Sequence, residues 1–110
     1  MDIQLKRGML DVCVLAAIRC EASYGYQIIK DLKPYTVLSE STLYTILKRL
    51  ELGGLLTVKA REYEGRLRKY YSITEKGRAR VAGFLAEWQE MVHIYRFVAG
   101  KDAPIGGEQT

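Results

Sequence analysis

Apolar positions recur with helical period over most of this chain. Leu5, Met9, Val12, Cys13 and Ala16 fall on one face of a helix predicted from about Leu5 to Cys20. Leu10, Val14, Leu15 and Ile18 add apolar surface on its other sides. A helix that is apolar nearly all round must be buried nearly all round, which in so short a chain implies a second subunit covering one side. Ser23 is the expected N-cap of a second helix, Tyr24 to about Lys33, stopped by Pro34. After a short link to Leu38, Ser39 caps a third helix from about Glu40 to Leu52, ended by Gly53 and Gly54. Three helices in succession, the last two closely joined, outline a helix-turn-helix.

The period then changes. Thr57, Val58 and Tyr63 favour a strand over Leu55 to Tyr63, and Tyr70, Tyr71 and Ile73 a return strand over Arg68 to Ile73. Glu64-Gly65-Arg66-Leu67 reads as the turn between them. Thr74 caps a long final helix that runs to about Val98, with Glu75 favourably placed in its first turn. The predicted fold is mostly α with one β-hairpin: a winged helix-turn-helix over residues 1–74, a C-terminal dimerisation helix over 75–99, and a loose Gly-rich tail over 100–110.

Two faces of the third helix carry the first functional signal. Leu43, Ile46, Leu47 and Leu50 form a buried stripe, while Ser41, Tyr44, Thr45 and Lys48 repeat the same spacing on another side, with Arg49 beside them. Short hydrogen-bonding side chains and a cation suit base edges and phosphates in a major groove. They equally make an ordinary solvated face, so position decides, and this face lies just ahead of a basic hairpin. Between Leu55 and Arg80 stand eight Lys or Arg, Arg66, Arg68 and Lys69 among them, against three Glu. That segment carries +5 where the whole chain carries +4. Cations concentrated on a hairpin are what phosphate contact requires.

Phe84, Leu85, Trp88, Val92 and Tyr95 continue a stripe from Val81 along the final helix, and are the expected dimerisation residues. The alternative, folding back onto its own domain, is limited by the little apolar surface a small domain offers. Trp88 is the only tryptophan, and by itself reads as a packing anchor. If a two-fold axis passes near it, two indoles face each other. The gap between them would hold a flat aromatic effector by stacking, against Trp88, Leu85, Val92, Val12 and Met9.

Composition adds exclusions. With 110 residues the chain forms one domain, and its pI near 9 favours an anionic partner. Cys13 and Cys20, seven residues apart, would lie about 10 Å apart along one helix, too far for a disulfide. That fits a reducing, cytoplasmic setting, as does the lack of a leader-like or membrane-spanning apolar run. No catalytic set, phosphate-binding glycine loop or cofactor motif is visible. His93 could meet Cys13 or Cys20 across a dimer, but without recognisable ligand spacing no metal or cofactor is expected.

Several segments, in order, resemble the PadR family of winged-helix regulators: Tyr24-Gly25-Tyr26, Ser41-Thr42-Leu43-Tyr44, Lys48-Arg49-Leu50-Glu51 before Gly54-Leu55, Arg68-Lys69-Tyr70-Tyr71, and Thr74-Glu75-Lys76-Gly77. The likeness spans about residues 5 to 98. The single helix after the wing is similar to the small-chain, multidrug-sensing subgroup. The resemblance implies a homodimeric repressor on an inverted-repeat operator in double-stranded DNA, not an enzyme. It carries DNA contact onto Ser41, Thr42, Tyr44, Lys48, Arg68 and Lys69, and implies a drug-facing role for Trp88, fourteen residues after Thr74. The chain departs from many members in having Thr45 where proline follows the helix-three tyrosine, and in its short link between helices two and three. The competing reading is a winged helix that serves as a protein-interaction module without DNA specificity.

Overall fold

Local capping chemistry sets most of the element boundaries in the computed structural model, which describes residues 2–101. Helix α1 (Ile3–Ala17) begins earlier than its apolar pattern suggests, because the Asp2 carboxylate accepts the Leu5 amide at 3.1 Å. It also ends earlier: the Ile18 amide donates to Leu15 in a tightened last turn, which leaves Cys20 beyond the helix. The two cysteines therefore do not share a helix. Both are free thiols, Cys13 half-buried and Cys20 exposed.

Helix α2 (Gly25–Leu32) is not capped by Ser23 as expected. Ser23 instead makes an antiparallel bridge to Tyr71, each amide donating to the other's carbonyl, at 3.1 and 2.7 Å. The backbone stays extended through Tyr24, which stands at the cap position without a side-chain bond. A long-range pairing here overrides a local cap signal. Helix α3 (Glu40–Leu52) follows its pattern: Ser39 Oγ accepts the Thr42 amide, and Gly54, at φ +77, turns the chain out while the Leu55 amide returns to Leu50.

Strands β1 (Leu56–Tyr63) and β2 (Arg66–Ile73) pair antiparallel, from Leu56 opposite Ile73 to Tyr63 opposite Arg66. Their connection is two residues rather than four. Glu64 and Gly65 both take positive φ, +50 and +79, the tight turn whose twist matches that of the flanking strands. Arg66 and Leu67 thus belong to β2 rather than to the turn.

Helix α4 (Glu75–Val98) is locked at its start onto the α3–β1 turn. Thr74 Oγ1 accepts the Gly77 amide and donates to the Gly54 carbonyl at 2.8 Å, and Lys76 Nζ donates to the Gly53 carbonyl at 2.9 Å. Gly77 presses so close that a Cβ there would collide with the Leu55 carbonyl oxygen. The run Thr74-Glu75-Lys76-Gly77 is thus a latch.

Valines and leucines from α1, Ile28 and Leu32 of α2, and the Leu43, Ile46, Leu47 and Leu50 stripe of α3 build the core, closed by Leu56, Tyr71 and Val81. Helix α4, about 36 Å long, buries only Gly77 and Val81 and half-buries Phe84 before leaving the domain. The molecule is accordingly elongated, 64 × 26 × 23 Å. No helix among the described residues is long and apolar enough to cross a membrane. Residues 102–110, most of the expected tail, lie outside the described residues.

Candidate nucleic-acid interface

The buried stripe of α3 points its opposite side outward, so Ser41, Tyr44, Thr45 and Lys48 are all exposed together. Each has a different degree of freedom. Thr45 Oγ1 donates to the Ser41 carbonyl at 3.0 Å, leaving its methyl and a lone pair outward. Thr42 belongs to the cap, its hydroxyl accepting from Ser39 Oγ at 2.9 Å. Tyr44 leans toward α2: a Cβ on Gly25 would come within 2.5 Å of its hydroxyl, which is why α2 opens on glycine. Lys48 makes no ion pair among the described residues.

Arg49 is placed differently from the expectation that set it beside this polar face. Its guanidinium is drawn toward α1 and pairs with Asp11, whose side chain is 8% exposed. A carboxylate that deep must be paired, so Arg49 is held as its counter-ion. No role was read for Asp11 from sequence, since an isolated acid inside an apolar helix carries no local signal of its partner.

The wing sorts its cations by strand parity. Arg61 stands opposite Arg68, Lys59 opposite Tyr70 and Tyr63 opposite Arg66, so these six side chains share one face. Two arginines side by side would repel, but aromatic rings take both. Arg68 lies 3.7 Å from the ring centres of both Tyr24 and Tyr63 and donates to the Tyr70 hydroxyl at 3.1 Å; Arg61 covers Tyr70 at 3.9 Å. Tyr24 and Tyr70 meet edge to face at 5.6 Å. The expected phosphate contact Arg68 is therefore half-buried in a tyrosine cradle that ties the wing to α2, while Arg66 and Lys69 stand exposed. The alternation of Tyr63 and Tyr70 with Arg61 and Arg68 was the available sequence signal, legible only with the two-residue turn in register. Between wing, α2 and α3 runs a groove of about 660 Å³ bordered by Tyr26, Tyr44, Arg68 and Lys69. At its base Tyr71 is buried, and burial pushes its phenol pKa up, with Tyr44 and Glu51 adding to the shift.

A second concavity, about 410 Å³, lies between α1 and α4. Met9 and Val12 line one wall; Arg80, Phe84, Trp88 and Met91 line the other, with Trp88 stacked on Phe84 at 5.9 Å. Of the expected effector set, Met9, Val12 and Trp88 border it. Leu85 and Val92 do not, because they lie roughly 120–180° round α4 from the groove-lining Arg80, Gly83 and Glu87. Leu85, Val92 and Tyr95, expected in dimerisation, stay 55, 39 and 62% exposed, and Trp88 37%. His93 is exposed, and no cluster of three metal-ligating side chains occurs among the described residues.

Comparison with known proteins points one way. The model of the transcriptional regulator PadR-like family matches residues 14–83. An uncharacterized protein of Lysinibacillus sphaericus is 33% identical over 93 residues, covering 80% of this chain and 85% of its own. The crystal structure of a Streptococcus mutans protein superposes with a TM-score of 0.76 at 35% identity, over 86% of this chain and 91% of that one. A PadR-like transcription factor from Bacteroides fragilis superposes at 0.78 and 33%, over 86 and 94%. PadR of Bacillus subtilis, solved with operator DNA, shares the fold at 0.66 and 23%, over 70% of this chain and 47% of its own.

Proposed function

Because the chain belongs to the PadR-like family of transcriptional regulators, we propose that it is a homodimeric DNA-binding repressor acting on an inverted-repeat operator. The observation that carries this reading is the exposed face Ser41, Tyr44, Thr45 and Lys48, set on the second helix of a helix-turn-helix beside a basic wing. In this reading α3 enters the major groove, with Ser41, Thr42, Tyr44, Thr45 and Lys48 at base edges and neighbouring phosphates. Arg66 and Lys69 touch flanking backbone, and Arg68 and Arg49 hold the frame from within. The operator complex of Bacillus subtilis PadR supports the DNA assignment by likeness of fold.

The dimer is inferred from α4. An apolar face carrying Leu85, Val92 and Tyr95 has little to pack against in its own subunit, and a second copy of α4 is the simplest cover. The two-fold axis then brings two Trp88 rings and two α1–α4 grooves together, where a planar aromatic effector would stack. Such a ligand acts only through a difference in affinity between two wing arrangements, and so through the half-site spacing of about 34 Å.

The deciding test is DNA affinity against salt. About eight phosphate contacts per dimer give a log–log slope near −7, whereas a protein-interaction module gives a flat response. The effector reading is tested by titrating planar aromatics against Trp88 fluorescence. Saturable quenching at one ligand per dimer supports it; a Trp88→Ala dimer with an unchanged DNA response to the same compounds removes it.

A further inference from the structure

A third concavity lies between α1 and α3, on the side of the recognition helix away from the wing. It encloses about 280 Å³. Lys6 and Arg7 of α1 line one side, Thr42, Thr45 and Arg49 of α3 the other, and Leu10 contributes to an apolar floor. We propose that this cleft receives a sugar–phosphate unit of the DNA backbone, so that α1 flanks the recognition helix on one side as the wing does on the other. The proposal rests on the DNA-binding reading and extends it to residues that precede the family-matched region, 14–83.

Helix geometry places the cleft. At about 100° per residue, Thr42, Thr45 and Arg49 are turned roughly 40 to 100° from Ser41, at the centre of the exposed polar face. Tyr44 lies on the opposite flank, toward α2 and the wing groove. A helix seated in a major groove about 12 Å wide has a phosphate backbone on each side. The wing supplies cations for one of them. Lys6 and Arg7 are the cations facing the other.

Charge selects the occupant. Among the described residues the only ion pairs are those of Arg49 and Arg80 with Asp11. Asp11 therefore neutralises Arg49 and leaves the exposed Lys6 and Arg7 uncompensated at the cleft mouth. The groups present match the backbone: ammonium and guanidinium donors for a phosphate, and an apolar floor for deoxyribose carbons. The cleft is continuous with the proposed base-reading face through Thr42 and Thr45. It reads backbone and not bases, so it adds affinity without sequence preference.

The test compares wild-type protein with the double variant Lys6→Gln/Arg7→Gln on a mixed-sequence duplex of about three helical turns. Losing two contacts in each subunit of a dimer makes the log–log salt slope shallower by about 3 to 4. The charge-preserving pair Lys6→Arg/Arg7→Lys retains the wild-type slope. Both residues are exposed, and circular dichroism and sedimentation verify that the variants remain folded and dimeric. A steep wild-type slope that the Gln variant leaves unchanged overturns this inference alone. A flat wild-type slope overturns it together with the DNA-binding reading.

Discussion

Asp11 of α1 accepts a hydrogen bond from Arg49 of α3, while Arg80 of α4 stands 3.7 Å from its other carboxylate oxygen. Three helices thus meet at one buried carboxylate: the one carrying the proposed base-reading face, the one leading out to the proposed dimer contact, and the one between them. Arg80 also lines the α1–α4 groove, so the carboxylate that holds Arg49 of α3 also touches a residue of the groove wall.

The pair predicts an asymmetry. Arg49→Met leaves the buried carboxylate with only the longer contact to Arg80 and should destabilise the fold by about 2–3 kcal/mol. Asp11→Asn leaves Arg49, whose side chain is 34% exposed, free to turn to water, and should cost about 1 kcal/mol. Urea denaturation of both variants gives the ranking, and the reverse order would refute the assignment of Arg49 as the counter-ion. In DNA binding, Lys48→Met should flatten the salt slope by about 2 per dimer and Arg49→Met by much less.

Arg68 offers a test of positioning against contact. If its guanidinium acts by filling the cradle of Tyr24, Tyr63 and Tyr70, charge alone does not substitute for it. Arg68→Lys should then weaken DNA binding nearly as much as Arg68→Ala and speed amide hydrogen exchange along the hairpin. A lysine variant with wild-type affinity would assign Arg68 to the phosphates instead.

Two glycines of α4 should respond in opposite directions to the same substitution. Gly77→Ala drives a methyl into the Leu55 carbonyl and should destabilise by about 2–3 kcal/mol as the latch opens. Apart from its own helix backbone and chain neighbours, Gly83 has nothing within 4 Å of where a Cβ would sit, so Gly83→Ala should stabilise the helix by up to about 1 kcal/mol. Thermal denaturation of the two variants is sufficient to check the signs.

Tyr71 predicts an alkaline limit to stability. Burial raises its pKa above the usual 10.0, so the folded state favours the neutral phenol. Its contribution is complete below pH 10.0 and declines as pH rises through the folded-state value, because the unfolded chain releases that proton first. Tyr71→Phe should remove part of the fall in urea midpoint above pH 10.0. An unchanged alkaline profile would mean that other groups set it.

Much of the architecture was legible because its signals are local. Ser39 and Thr74 cap the helices they precede, Gly53 and Gly54 end α3, and the period change at Leu55 marks the hairpin. The polar face of α3 follows from one helix's own spacing once its buried stripe is identified. All of these depend on residues within a turn or two of one another, where backbone sterics and hydrogen bonding act directly.

What needed tertiary structure involves partners far apart in the chain. Ser23 left its cap position for Tyr71, 48 residues on, because an extended backbone beside a strand edge satisfies both its amide and its carbonyl. Arg49 left the polar face for Asp11, 38 residues away, because a carboxylate in a dry core requires a counter-ion. Arg68 left the solvent for three tyrosines whose convergence depends on hairpin register and on the docking of α2. Leu85 and Val92 lie away from the α1–α4 groove because Gly77, Val81 and Phe84 are the positions of α4 that pack against the domain. The chain by itself determined which faces are apolar and the order and type of the elements; packing decided which face met which, because burial rewards complementary surfaces without regard to their separation in sequence.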